Sequence, residues 1–169
     1  FLFLTKERTR AGSLQLAVMA AEVMLVNSST TSLVKLSARR VRPFVYNPDV
    51  DMEIKLENNA RAAFYSGHTS VVSALSFFSA KVFSDYYPES NWKPVVWSAA
   101  VLIPAVTAYS RVKGGKHFQS DVITGYVAGG LIGYFIPHFH KKRSNDPKVS
   151  IRFWGSEKSM GATLGIRVQ

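Results

Sequence analysis

Histidine and acidic side chains are the residues of this chain whose types and spacing could carry out chemistry. The chain has four His and no Cys among 169 residues, which excludes a thiol nucleophile, a disulfide and a thiolate metal site. His117 and Asp121 are four residues apart, so a helix through both would place the carboxylate beside the imidazole. A carboxylate on one ring nitrogen fixes the tautomer and leaves the other nitrogen free to attack. The pair could therefore supply a nucleophilic histidine, and the alternative is a structural cap or a surface pair.

Two further groups of residues are candidates for an anion site, although the first alone is typical of a solvated helix end and the second alone is a common tripeptide. Lys35 and Arg42 are seven residues apart, so a helix would place both cations on one face, where they could hold a dianion. Ser66, Gly67 and His68 precede an apolar stretch, and backbone N–H groups at a helix start bind anions well. A glycine lets the backbone approach a ligand closely. The excess of 21 Lys and Arg over 11 Asp and Glu also favours an anionic partner.

Four apolar stretches must position these residues, and each has the length of a helix rather than a strand. They are residues 11–36, 69–87, 94–109 and 122–137. The polar groups lie where the first and third stretches end and where the second and fourth begin. In an up-and-down bundle these ends meet. We therefore expect an all-α fold, a helical bundle with the active site at one end.

The same stretches leave open whether the bundle lies in a membrane. Gly125, Gly129 and Gly133 recur every four residues, a spacing that lets helices approach closely in membrane bundles and also suits a tight soluble contact. A membrane span needs about 20 mostly apolar residues. Residues 69–87 come close to that length, whereas the third and fourth stretches are shorter and the first contains Glu22.

The polar segment 44–65 shows no periodicity and predicts a long loop of the kind that is often a functional lid. Residues 148–153 and 162–168 are extended in character and predict a short C-terminal β-hairpin. We expect a bundle domain at 1–143 and a tail at 144–169. Because the chain begins with Phe rather than Met, a truncated N-terminus is also expected.

The order and spacing of the polar groups resemble the three-part signature of the type 2 phosphatidic acid phosphatase superfamily. That superfamily includes bacterial non-specific acid phosphatases and vanadium haloperoxidases. The matches cover residues 35–121 and are, in order, Lys35 with Arg42-Pro43, then Ser66-Gly67-His68, then Ser110-Arg111 with His117 and Asp121. Tyr65 stands where the second motif usually has proline, a position that shapes the turn.

The resemblance implies a role for each matched residue. His117 would be the nucleophile that forms a phosphohistidine, with Asp121 orienting it and stabilising its charge. His68 would protonate the leaving oxygen and then activate water. The phosphoryl oxygens would be bound by the remaining residues: Lys35, Arg42, Ser66, Gly67 and Arg111. Because these cations could replace the metal ions that other phosphatases use, no cofactor and no metal are expected.

The implied activity is that of a metal-independent phosphatase acting on a lipid phosphate or pyrophosphate, as in a bacterial membrane lipid phosphatase. Candidate substrates are phosphatidic acid, phosphatidylglycerol phosphate, undecaprenyl pyrophosphate and lipid A phosphate. The main alternative is a soluble periplasmic acid phosphatase acting on small phosphomonoesters. A vanadium haloperoxidase and a non-enzymatic module that binds anionic lipid or nucleic acid are further alternatives. Aromatic residues lie mostly in the apolar stretches, which argues against nucleic acid.

The distribution of basic residues bears on orientation. Lys6, Arg8, Arg10 and the basic run 141–143 are expected at the end of the bundle opposite the motifs. If the bundle spans a bacterial inner membrane, the positive-inside tendency assigns that end to the cytoplasm and the active site to the periplasm. The active end is basic as well, through Arg61 among others, so the topology stays an expectation. The sequence does not indicate the oligomeric state or the substrate head group.

Overall fold

The computed structural model describes the backbone of residues 7–145, 149–156 and 159–166, and the side chains of residues 12–140. The α-helices of the described chain are α1 (Glu7–Ala38), α2 (Met52–Leu56), α3 (Gly67–Tyr86), α4 (Lys93–Lys113) and α5 (Gln119–Asn145). The four long helices coincide with the four apolar stretches of the sequence. The predicted all-α fold is therefore confirmed.

The segment between α1 and α3 is more structured than the expected loop. It contains α2 and two 3-10 turns, at Pro43–Tyr46 and Asn58–Arg61. Each element has only four or five residues, which is too short to produce a readable hydrophobic period. The segment is tied to the loop before α5, because Phe44 N–H donates to the carbonyl oxygen of Gly115 at 3.1 Å.

The chain divides into two compact units, Phe1–Pro137 and His138–Gln169. In the second unit, β1 (Val149–Ser156) and β2 (Ser159–Ile166) pair as antiparallel strands. These strands fall where the sequence indicates a C-terminal hairpin. The domain boundary between residues 143 and 144 stays a prediction.

The hydrophobic core of the first unit lies between α1, α3 and α5. Met19 and Val23 of α1 are buried against Ala74 and Phe78 of α3. Partly buried apolar residues of the same three helices surround them: Leu16, Ala20, Val82, Ile132 and Ile136. Helix α4 packs against α3, and the indole N–H of Trp97 donates to the hydroxyl of Ser84 at 2.9 Å. Packing of α1, α4 and α5 around α3 thus orients all four long helices.

Much of the outward surface of these helices is apolar. On α4, Leu102 and Val106 are 61% and 64% exposed. Among the described residues, three helical segments are long and apolar enough to cross a membrane: Gly12–Tyr46, Lys93–Lys113 and Gln119–His140. Helix α3, the stretch whose length came closest to a span in the sequence, is not one of the three, and it carries several serines.

Helix α5 approaches α3 through the glycines that recur every four residues. Ideal Cβ atoms at these positions would collide with backbone carbonyl oxygens of α3, in the pairs Gly125 with Ser66, Gly129 with Ser70, and Gly133 with Ala74. Only glycine permits so close an approach, because any side chain would push the two backbones apart. The start of α5 therefore lies beside the start of α3, where Ser66 N–H donates to the carbonyl oxygen of Asp121 at 3.0 Å.

We expect Gly129→Ala to destabilise the bundle, because its Cβ would overlap the backbone of Ser70 and force α3 and α5 apart. Overpacking of this kind costs about 1–3 kcal/mol. Gly130→Ala is the matched control, since a Cβ there would lie 3.3 Å from the flexible hydroxyl end of Ser73. Thermal unfolding in detergent should show a lower midpoint for Gly129→Ala than for Gly130→Ala, and equal midpoints would contradict the close-contact interpretation.

Candidate active site

The candidate site lies at the end of the bundle where α1 and α4 finish and α3 and α5 begin. Lys35 is in the last turn of α1, and Arg111 is in the last turn of α4. His68 is in the first turn of α3, and Asp121 is in the first turn of α5. His117 lies in the link between α4 and α5. The structure therefore brings together residues that are up to 86 positions apart in the sequence.

Lys35 and Arg42 meet for a different reason from the shared helix face that their spacing suggested. Helix α1 ends at Ala38, and Arg39 adopts the left-handed backbone conformation with φ of 42°. The chain then turns, and Arg42 N–H donates to the carbonyl oxygen of Ala60 at 2.8 Å. The charge of Arg42 still acts directly on Lys35. The two cations lie near each other because of this turn and not because of a shared helix face.

Arg42 and Arg111 both hold buried donors without acceptors. Arg42 is only 6% exposed, and its terminal nitrogen donates to Oδ1 of Asn59 at 2.6 Å. Within the described part of the chain, the buried Nε atoms of Arg42 and Arg111 have no hydrogen-bond partner. Leaving a buried charged donor unpaired costs free energy, and the guanidinium fork matches the geometry of phosphoryl oxygens. The two unpaired Nε–H groups are therefore candidate donors to an oxyanion.

His117 is held by a backbone group. Its side chain is 1% exposed, and Nδ1 lies 2.8 Å from the carbonyl oxygen of Ala63. A carbonyl oxygen can only accept a hydrogen bond, so Nδ1 carries the proton and Nε2 keeps its lone pair. Oδ2 of Asp121 is 3.7 Å from Nδ1, which is too long for a hydrogen bond. The predicted pairing of His117 with Asp121 within one helix is therefore corrected. Helix α5 begins at Gln119, so His117 lies outside it, and the carbonyl of Ala63 sets the tautomer.

The surroundings keep both imidazoles of the site neutral near pH 7. The pKa of His117 is lowered to about 4, mainly by burial, with Arg42 and Arg111 adding to the decrease. The hydrogen bond to Ala63 and the charge of Asp121 oppose this change. The pKa of His68 is also lowered, first by burial and then by nearby cations, which are Arg111, Lys35 and Arg42. The two histidines thus share Arg42 and Arg111 as electrostatic neighbours.

Asp121 is fully buried and is held on both of its oxygens. Oδ2 accepts from the backbone N–H of Phe118 at 2.9 Å, a capping contact at the start of α5. Oδ1 accepts from the guanidinium of Arg40 at 2.7 Å, and that guanidinium lies 4.3 Å from the centre of the Phe118 ring. The carbonyl oxygen of Arg40 also accepts from the N–H of Ala63. Arg40 therefore links the two groups, Asp121 and Ala63, that lie against the imidazole of His117.

The first turn of α3 supplies the other side of the site. The hydroxyl of Ser66 caps the helix by accepting from Thr69 N–H at 3.4 Å, and the side chain is fully buried. An ideal Cβ at Gly67 would lie 3.5 Å from Nζ of Lys35 and 3.3 Å from a methyl carbon of Thr31. The ammonium of Lys35 therefore lies against the helix start, where backbone N–H groups and the helix dipole already favour an anion.

Three contributors to this geometry were missed in the sequence. Ala63 acts through its backbone, which leaves no signal in the residue type. Arg40 belongs to a basic run that is typical of a solvated helix end. Tyr65 is more than a turn-shaping residue, because its buried hydroxyl accepts from Thr31 at 3.1 Å and ties the second motif to α1. Among the residues that the structure describes, no three His, Asp or Glu side chains cluster closely enough to hold a metal ion.

The fold and the site define an all-α bundle with a candidate oxyanion site at one end. Three helices of membrane-spanning length with apolar outward surfaces identify it as a membrane protein. The sequence profile of the PAP2 superfamily matches residues 14–145, and the chain belongs to that superfamily.

Several known proteins are similar to the chain. Lipid A 4'-phosphatase of Porphyromonas gingivalis is 27% identical over an alignment 139 residues long, which covers 80% of this chain and 55% of that protein. Phospholipid phosphatase 2 of Bos taurus is 30% identical over an alignment 147 residues long, which covers 70% of this chain and 50% of that protein. The chain thus spans about half the length of the curated relatives that it matches.

A solved structure shares the fold. The transmembrane PAP2 type phosphatidylglycerolphosphate phosphatase from Bacillus subtilis superposes with a TM-score of 0.58 and 24% sequence identity. The superposition covers 84% of this chain and 63% of that protein.

Proposed function

We propose that the chain is a metal-independent phosphatase that hydrolyses a lipid phosphate or pyrophosphate through a phosphohistidine intermediate. One observation carries the proposal: two buried guanidinium Nε atoms without acceptors lie near a buried imidazole whose Nε2 is free. This is the arrangement that a phosphoryl group needs for binding and for attack. The names of the relatives, lipid A 4'-phosphatase and phospholipid phosphatase 2, support a phosphorylated lipid as the substrate.

In the first step, Nε2 of His117 attacks phosphorus in line with the leaving oxygen. The phosphorus–nitrogen bond forms, the phosphorus–oxygen bond to the lipid breaks, and His68 gives its proton to the leaving oxygen. Binding of the phosphate dianion favours the protonated form of His68 that this step needs. Asp121 stabilises the positive charge of the phosphorylated imidazole. The equatorial oxygens are bound by Lys35, Arg42 and Arg111, with Ser66 and Gly67 at the helix start.

In the second step, neutral His68 takes a proton from water while the water oxygen attacks phosphorus. The phosphorus–nitrogen bond breaks, inorganic phosphate forms, and His117 returns to its neutral state. The Ala63 carbonyl keeps the proton on Nδ1 throughout, so Nε2 is the reacting atom in both steps. The cations neutralise charge on the transferring group, and the reaction balances without a metal ion.

A lipid substrate agrees better with the apolar surface than the small phosphomonoester of the alternative soluble phosphatase does. Helices α1 and α4 expose large apolar side chains, which suit contact with acyl chains. The proposal includes a site that faces the periplasm of a bacterial inner membrane. The support is the set of basic residues near the start of α1 and near the end of α5, at positions 6, 8, 10 and 141–143.

The direct test replaces the nucleophile. We expect His117→Ala to lower phosphate release from phosphatidic acid in detergent by about a thousandfold or more, because no other group can form the covalent intermediate. His140→Ala, which removes a histidine outside all three motifs, is the matched control and should retain activity. Brief incubation with labelled substrate should trap acid-labile phosphate on the wild type and not on His117→Ala. Undiminished release by His117→Ala would refute the assignment.

The pH dependence of kcat/KM should be bell-shaped with an acidic optimum. Attack requires neutral His117, so the rate rises as pH increases through about 4, the lowered pKa of that imidazole. Protonation of the leaving oxygen requires protonated His68, whose pKa is lowered from 6.5. The rate should therefore fall as pH rises through that lowered pKa, and this decrease should begin below neutral pH. His68→Asn should remove the falling limb. An optimum above pH 8 in the wild type would contradict the assigned roles.

A further inference from the structure

A cavity between α1 and α3 opens beside the candidate active site. Its volume is about 390 Å³, and Lys35 and His68 both line it. His68 is the residue proposed to protonate the leaving oxygen, so the cavity lies where the leaving group has to go. The side chains that α1 contributes beyond Lys35 are polar although α1 is of membrane-spanning length: Asn27, Ser28, Thr31 and Ser32.

Asn27 carries an unpaired donor. Its side chain is fully buried, and Oδ1 accepts from the hydroxyl of Ser70 at 2.5 Å, while Nδ2 has no partner within the described residues. Three buried side-chain atoms of the described chain share this condition, and the other two are the Nε atoms of Arg42 and Arg111. Because an unpaired buried donor is costly, each of the three indicates a position where a ligand oxygen would be stabilising.

The hydroxyls of Ser28 and Ser32 add to the polar character of this cavity, unlike two other hydroxyls of the same helix. Thr30 and Ser37 donate to the carbonyl oxygens of Val26 and Leu33, one helical turn earlier, as hydroxyls in apolar helices commonly do. Ser28 and Ser32 line the cavity and make no hydrogen bond to any described residue. Their hydroxyls therefore remain free to contact a molecule in the cavity.

The spacing fits the linker of a lipid phosphate. The ammonium of Lys35 and a methyl group of Thr31 both lie close to Gly67, so the cation that binds the phosphate is level with Thr31. Asn27 lies four residues before Thr31, which is about 6 Å further along the helix axis. An oxygen two or three bonds beyond the ester oxygen of a bound phosphate would reach this part of the cavity.

We propose that this cavity is a leaving-group subsite that selects lipids with an oxygen-bearing linker between the phosphate and the acyl chains. Acylated glycerol and acylated sugar share this chemistry. In a polyprenyl phosphate the hydrocarbon begins at the phosphate ester oxygen, so it would cover the amide of Asn27 and the two hydroxyls without pairing them. The inference rests on the proposed phosphatase function and narrows its substrate class.

The test compares kcat/KM for three substrates in the same detergent micelles: dioleoyl phosphatidic acid, an acylated glucosamine phosphate and farnesyl phosphate. We expect the wild type to prefer the first two substrates over farnesyl phosphate. The Ser28→Ala/Ser32→Ala double variant should lower that preference about tenfold through the loss of two hydrogen bonds. Asn27→Leu should lower it further. Thr30→Ala/Ser37→Ala, which removes two internally bonded hydroxyls from the same helix, is the control and should leave the preference unchanged.

The outcomes separate this inference from the proposed function. A wild type that releases phosphate from none of the three substrates overturns both. An active wild type overturns the subsite alone if it prefers farnesyl phosphate, or if both the serine variant and Asn27→Leu keep the wild-type preference. Because the serine variant removes only two hydroxyls, the test holds even if Asn27→Leu fails to fold. The serine variant should lower kcat/KM more for the substrate whose linker occupies the subsite, and this identifies the linker as the acylated glycerol or the acylated sugar.

Discussion

The close contact between α3 and α5 is the constraint on which the candidate site depends. The glycines of α5 let its backbone lie against the carbonyl oxygens of α3, and this fixes the first turns of the two helices side by side. His68 begins one helix, Asp121 begins the other, and the hydrogen bond from Ser66 N–H to the carbonyl of Asp121 joins them. Even a methyl group in this contact would separate the second motif from the third.

The second constraint is the balance of charge at that end of the bundle. Lys35, Arg42 and Arg111 lie close enough to repel one another, and two helix N-termini add positive potential. Asp121 supplies a buried negative charge, but Arg40 holds one of its oxygens. The positive potential and the burial together keep the imidazole of His117 neutral, which is the state a nucleophile needs. In the proposed function, one arrangement therefore serves both to bind an oxyanion and to prepare the attacking atom.

The sequence predicted the helices better than it predicted the contacts among the candidate site residues. The apolar stretches located α1, α3, α4 and α5, because each is long enough for hydrophobicity to indicate a helix. The expected shared helices were wrong at both ends, since α1 stops before Arg42 and α5 starts after His117, although Asp121 Oδ2 still lies 3.7 Å from His117 Nδ1. Helix ends depend on local turns, such as the left-handed Arg39, that hydrophobic patterns do not reveal.

Backbone contacts were beyond prediction from residue types. The carbonyl of Ala63 determines which nitrogen of His117 carries the proton, yet alanine at that position has no distinguishing chemistry. The cavity beside His68 was hidden for a similar reason. Asn27, Ser28 and Ser32 look like an interruption in an apolar stretch, and only the packing of α1 on α3 shows that they face one space.

The central claim is that the phosphoryl group is transferred to an imidazole nitrogen before it reaches water. Each in-line displacement inverts the configuration at phosphorus, so two successive displacements restore it. The most direct measurement uses a lipid phosphorothioate made chiral with oxygen-17 and oxygen-18, hydrolysed in ordinary water, with the configuration of the released thiophosphate then determined. The account predicts overall retention. Overall inversion would mean that water attacks the lipid phosphate directly, and it would contradict the account.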